Sequence, residues 1–147
     1  MGDMATPNTP PLPEQLCFDL YAASRAVTNA YRPVLAELGL TYPQYLVLIV
    51  LWEQGTCTVR ELADVLKLDH GTLTPLLRRM ESNGVVERRR SAADERFVEV
   101  GLTDRGNTMR VHASRIHCDM KEAIGLDEVQ FGALQATLRA LTSNVAT

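Results

Sequence analysis

Apolar residues recur at positions 16, 20, 23, 27, 31, 34 and 38, in steps of three and four. That spacing holds them on one face of a 3.6-residue period and predicts a long amphipathic helix ending near Gly39. The following stretch, "TYPQYLVLIVLWEQG", is apolar on nearly every side from Tyr45 to Trp52. It predicts a second helix, central and buried. Thr41 and Gln44 have the spacing of a capping box, and Pro43 sits in the first turn, where its missing N–H costs little.

"TVRELADVLKL" repeats the capping pattern with Thr58 and Glu61 and puts Val59, Leu62, Ala63, Val65 and Leu66 largely on one side of a short third helix. "DHGTLTPLLRRMESNG" predicts a fourth, entered between Asp69 and Thr72 and stopped by Asn83-Gly84. Pro75 fits comfortably with Thr72 as the cap and less so with Asp69. Two short helices joined by a tight turn make a helix-turn-helix, with the second as the candidate reader of a major groove. The period then changes. "VVERRR" and "RFVEVGL" alternate as strands, with Val98, Val100 and Leu102 turned toward the core and "SAADE" as the polar loop between them. A hairpin in this place is a wing. A fifth helix is expected from Thr103-Asp104 to about Ala123. Asp127 with Gln130 caps a last one reaching about Leu141.

The expected fold is therefore mainly α with a small β-hairpin wing. Residues 1–13, "MGDMATPNTPPLP", read as a flexible, proline-rich arm rather than an export signal. Residues 14–147 read as one domain: a winged helix-turn-helix over about 41–103, flanked by dimerisation helices over about 14–38 and 104–143. The first and last helices carry apolar stripes that so small a core cannot cover alone, which predicts a homodimer.

Composition sharpens the functional reading. A formal net charge of −3 argues against a nucleic-acid binder until its distribution is seen. Arginines 78, 79, 88, 89, 90 and 96 face only the acids 81, 87, 94 and 95 over the same stretch, a local excess of two positive charges in an acidic protein. Lys67 and Lys121 are the only lysines. A planar fork that binds phosphate in two places suits a DNA-facing surface. His70, Thr72, Thr74, Arg78 and Arg79 lie on the candidate reading helix, and Arg88, Arg89 and Arg90 on the wing. Asp94, two residues before Arg96, can hold that guanidinium ready for a narrow minor groove. The bland alternative is a solvated salt bridge and nothing more. Double-stranded DNA with an inverted repeat is the expected partner, bound in a strongly salt-dependent way.

Cysteines at 17, 57 and 118 are odd in number and widely spaced, which suits a cytoplasmic chain with reduced thiols rather than a disulfide framework. They lack close-paired zinc spacing, and His112 and His117 lack a convincing ligand set, so no metal or other cofactor is expected.

The order of elements resembles the MarR family of winged-helix transcription regulators across roughly residues 14–143. The stretches that carry the likeness are "LDHGTLTPLLRRMESNGVVERRRSAADERFVEVGLTDRG" and "LCFDLYAASRAVTNAYRPVLAELGLTYPQYLVLIVLWE". The latter resembles the organic hydroperoxide resistance regulators, in which a cysteine near the start of the first helix senses peroxide with help from tyrosines. Cys17, Tyr21, Tyr31 and Tyr42 match that pattern. His70 departs from it, standing where a small hydroxyl residue is expected. The resemblance implies a homodimeric repressor released when an organic hydroperoxide oxidises Cys17. Two-cysteine members imply Cys118 as a possible resolving partner.

Geometry adds one constraint. Tyr31 lies fourteen residues beyond Cys17, about 21 Å along a continuous helix. They share a face yet can meet only across a dimer, which predicts an intersubunit pocket, with Tyr42 approaching it and Tyr21 flanking Cys17 locally. Cys17 in the first turn also sits where the helix dipole favours an anion. Competing readings are a repressor of the same fold released by a small aromatic ligand in the dimer cleft, a thiol peroxidase, and a plain dimeric scaffold. Against the peroxidase stands the lack of an arginine near Cys17 apart from Arg25 two turns on, and the scaffold leaves the arginine wing unexplained. Cys57 reads as a packing residue.

Overall fold

The computed structural model describes residues 8–146; the first seven positions of the expected arm lie outside them. Leu12–Glu14 form a 3-10 turn that leads directly into the first helix. The order is α1 (Leu16–Ala36), α2 (Tyr42–Gln54), β1 (Cys57–Thr58), α3 (Val59–Leu66), α4 (His70–Ser82), β2 (Val86–Arg90), β3 (Val98–Leu102), α5 (Asp104–Thr108), α6 (Ala113–Ile124) and α7 (Glu128–Val145).

Local signals set most boundaries. The Thr41 N–H donates to Gln44 Oε1 at 3.1 Å. Thr58 and Glu61 exchange both bonds of their box at 3.1 Å. Asp127 and Gln130 do the same. Gly39, Gly84 and Gly125 take positive φ where α1, α4 and α6 end, a region that other residues enter only with strain. At α4 the choice falls on Asp69, whose carboxylate accepts from the Thr72 N–H at 2.7 Å. Pro75 therefore stands inside the helix and removes the donor owed to the Gly71 carbonyl. A glycine at that position is the mildest neighbour for the proline ring.

α2 is the hub. Val47, Leu48, Val50, Leu51 and Trp52 are all buried, as expected for a helix apolar all round. Around them pack Leu35 of α1, Leu62 and Ala63 of α3, Leu73, Leu77 and Met80 of α4, and Val100 of β3. Val65, expected on the packed side of α3, is exposed. The packed stripe is 59, 62, 63 and 66, and a residue at the sixth step from 59 falls well off it.

The wing forms where the alternation predicts it, with Val86 opposite Leu102, Arg88 opposite Val100 and Arg90 opposite Val98. Val100 is fully buried, while Val98, toward the tip, and Leu102, packed against the core at the base, are half-buried. The sheet has a third strand that its two residues are too short to announce: Cys57 pairs with Val100 and Thr58 with Glu99, giving the order β1-β3-β2.

The long fifth helix is broken. α5 passes through a 3-10 turn at Met109–His112 before α6 begins. α7 runs past the expected end to Val145 and has no buried residue.

Candidate DNA interface and thiol site

α4 presents His70, Thr72, Arg78 and Arg79 to solvent and Thr74 half-buried, while its other face fills the core. Among the described residues no acid pairs with Arg78, Arg79 or Arg89, so their forks are free to bind an anion. The backbone N–H and hydroxyl of Thr72 hold the Asp69 carboxyl below its usual range, so the N-cap stays charged at neutral pH.

The three arginines of β2 behave differently from one another. Arg89 is exposed. Arg90 Nη1 donates to the Glu95 carbonyl at 2.8 Å and braces the wing loop. Arg88 is turned inward: its Nη2 lies 3.1 Å from Glu81 Oε1, and its side chain is 22% exposed. A run of three arginines says nothing of this, because adjacent strand residues face opposite sides.

At the wing tip Ser91, buried, accepts from the Ala93 and Asp94 N–H groups through its hydroxyl. Asp94 then holds Arg96 with both oxygens: Nε to Oδ1 at 3.0 Å and Nη2 to Oδ2 at 2.7 Å. The Arg96 N–H also donates to Oδ1 at 3.1 Å. Those bonds push the Asp94 carboxyl down and the Arg96 guanidinium up. Phe97 lies beside the same guanidinium, 5.9 Å from Cζ to the ring centre. Arg96 is thus oriented by its neighbours while remaining 83% exposed.

Cys17 is the second residue of α1 and is exposed. Leu16, Phe18 and Tyr21 around it are exposed as well, since only the far half of α1 reaches the core. Tyr21 accepts from Arg25 Nη1 at 3.3 Å, and the guanidinium sits 5.4 Å from its ring centre. Tyr31 lies against Tyr42 with ring centres 4.6 Å apart, and 6.0 Å from Tyr45. Burial, then Tyr42 and Tyr45, pushes the Tyr31 phenol up to about 12. It therefore stays protonated at neutral pH and can donate a hydrogen bond. α1 is unbroken from Cys17 to Tyr31, so the two do not meet within one protomer. Tyr45, which the sequence presents as core alone, is the third phenol of this cluster; its place three residues after Tyr42 on one helix is the sign that could have found it.

Cys118 is exposed on α6, and all three cysteines are free thiols. Cys57 is buried in β1, where burial and then the Glu61 carboxylate push its thiol up to about 11, leaving it inert. Between α1, the start of α2 and α7 runs an apolar groove of about 580 Å³. Leu20, Val27, Tyr42, Phe131, Leu134 and Leu138 are among its walls.

Residues 29–111 match the family model described as transcriptional regulator SarA/Rot. The chain is 51% identical over 102 residues to the organic hydroperoxide resistance transcriptional regulator of Bacillus subtilis, covering 69% of each chain. It is 54% identical over 99 residues to the regulator TtmR of Methylorubrum extorquens, 67% of this chain but only about half of that longer protein (51%). Among solved structures, reduced AbfR bound to DNA superposes with a TM-score of 0.71 at 36% identity, covering 88% of this chain and 93% of that one. Disulfide-formed AbfR does so with 0.65 at 37% identity, over 88% and 91%; AbfR is from Staphylococcus epidermidis. With a helix-turn-helix, a wing and these relatives in hand, the chain belongs to the SarA/Rot and MarR-like family of winged-helix transcriptional regulators.

Proposed function

We propose that this regulator is a homodimeric, DNA-binding repressor that lets go of its operator when an organic hydroperoxide oxidises Cys17. The observation that carries this reading is the arrangement along α1. Cys17 stands at one end, exposed among uncovered apolar side chains, and Tyr31 stands fourteen residues away on the same helix, stacked on Tyr42 at the start of α2, both phenols protonated and able to donate a hydrogen bond. Pairing α1 antiparallel with its mate brings each thiol to the other protomer's phenols. The same pairing would cover Leu16 and Phe18, which a single protomer leaves exposed.

The chemistry closes without a cofactor. The Cys17 thiolate attacks the outer oxygen of ROOH; an S–O bond forms, the O–O bond breaks, and sulfur is oxidised to sulfenic acid. The departing alkoxide takes a proton and leaves as the alcohol. A phenol from Tyr31 or Tyr42 of the partner subunit would hydrogen-bond the anion before attack and the leaving oxygen after it. Cys118 is the proposed resolving thiol, its sulfur displacing hydroxide from the sulfenic acid as water. The relatives point the same way: one is named for organic hydroperoxide resistance, and another has been solved both reduced on DNA and disulfide-formed.

On DNA, His70, Thr72, Thr74 and Arg78 would face base edges in the major groove, Arg79 and Arg89 the phosphates, and Arg96 the minor groove. Arg88, Arg90 and Asp94 would shape the wing that carries it. An alternative reading keeps the DNA role but releases the operator with a small aromatic ligand; the apolar groove favours it.

The deciding experiment selects a duplex from a random-sequence pool with reduced wild-type protein. That duplex is then titrated before and after one equivalent of cumene hydroperoxide, alongside Cys17→Ser. Loss of binding in the wild type and none in the variant is expected. A variant that responds like the wild type would leave the aromatic-ligand reading standing instead.

A further inference from the structure

The wing follows α4 through the turn at Asn83-Gly84, and one carboxylate crosses between them. β2 is an outer strand, because the order β1-β3-β2 leaves one of its edges without a neighbour. A bare edge N–H is a liability that folded chains cover. At Arg88 it donates to Glu81 Oε2 at 3.0 Å, while the Arg88 guanidinium returns through Nη2 to Glu81 Oε1 at 3.1 Å. Glu81 lies in the last turn of the reading helix. One acid thus holds both the backbone and the side chain of the first arginine in the wing's basic run.

The inward turn of Arg88 has a cost. Its Nε is buried with no acceptor, the single such side-chain atom among the described residues. An arginine serving only as a phosphate contact would leave its fork in water, as Arg89 does. Arg88 is spent on geometry instead.

We infer that Glu81 is a positioning residue for DNA binding: clamped on Arg88, it sets the angle at which the wing carries Arg96 relative to α4. The inference rests on the DNA-binding reading above and adds a residue that touches no DNA. It makes a prediction of unusual sign. Glu81 is an acid on the DNA-facing helix itself, so charge alone says that removing it strengthens binding. Positioning says that binding weakens, and only at the wing.

The test uses the full-length reduced protein and a duplex that the wild type enriches from a random pool. Wild type, Glu81→Ala, Glu81→Gln, Arg96→Ala and the Glu81→Ala/Arg96→Ala double variant are compared. The readouts are affinity, hydroxyl-radical protection of the minor groove and methylation protection of guanine N7 in the major groove. Glu81→Ala is expected to bind on the order of tenfold more weakly, losing minor-groove protection and keeping the major groove. Adding Arg96→Ala to it should cost much less than in the wild type. Glu81→Gln, which keeps an acceptor for the Arg88 N–H, should recover part of the affinity. Should Glu81→Ala unfold, Glu81→Gln with and without Arg96→Ala carries the same comparison. Binding as tight as wild type or tighter, equal loss in both grooves, or an unchanged cost of Arg96→Ala would each overturn the inference. A wild type that enriches no duplex overturns the DNA reading, and this with it.

Discussion

Cys17 and Cys57 are the same residue type in opposite settings. Cys57 is buried beside Glu61, and its thiol is held protonated at any ordinary pH. Cys17 is exposed at the start of a helix with apolar side chains around it. Alkylation of the native, reduced protein should therefore label Cys17 and Cys118 and spare Cys57, read by mass analysis. The Tyr31 phenol makes a second prediction. Its proton is held more tightly in the folded chain, at about 12 against an ordinary 10.0. Its contribution to stability is complete below pH 10 and disappears as pH rises toward 12. Tyr31→Phe should flatten that alkaline loss in denaturant melts taken on either side of pH 10. The flattening should be partial, because burial shifts Tyr42 and Tyr45 in the same direction.

Among the elements, the junction after α4 has the least slack. The Thr103 hydroxyl donates to the Gly84 carbonyl at 2.6 Å, and Arg105 Nη1 to the Asn83 carbonyl at 2.7 Å. A Cβ on Gly106 would stand 2.1 Å from the Val85 carbonyl oxygen. Its own carbonyl accepts from Trp52 Nε1 at 3.0 Å, so α5 cannot back away without breaking a buried bond. Gly106→Ala should destabilise the fold by about 2–3 kcal/mol in chemical melts. If it melts like the wild type, α5 packs on the turn more loosely than this contact requires. The wing tip makes a gentler prediction. Asp94→Ala frees the Arg96 guanidinium and should weaken binding to the selected duplex on the order of tenfold, with the melting temperature unchanged. An unaltered affinity would reduce the Asp94 contact to a solvated ion pair.

At the scale of the whole molecule, a single protomer leaves two apolar helix faces uncovered. α7 has no buried residue, and Val129, Leu134, Leu138 and Val145 are exposed along it, as are Leu16, Phe18 and Tyr21 on α1. Sedimentation should find a dimer at micromolar concentration. Leu134→Glu with Leu138→Glu should shift it to monomer and cost operator affinity without altering α4 or the wing. Binding should also fall steeply with salt, since exposed arginines displacing counterions supply much of it. A flat salt response would remove the phosphate contacts from the picture.

What this chain's sequence determined alone is whatever depends on neighbours a few residues apart. Helix periods, capping boxes at Thr41, Thr58 and Asp127, stops at Gly39 and Gly84, and the alternation of the wing are short-range consequences of side-chain spacing and backbone sterics. Even the statement that Cys17 cannot reach Tyr31 within one protomer needs only the rise of a helix. The choice between Asp69 and Thr72 as cap and the break at Met109–His112 were settled only by the folded backbone, and the two-residue strand β1 exists because it pairs with β3, much further along the chain. The same holds for the stacking of Tyr31 on Tyr42, and for Arg88, which the basic run offers as a DNA contact and Glu81 claims for the fold. Charge in a sequence says what a side chain can bind; only the tertiary structure decides which partner arrives first.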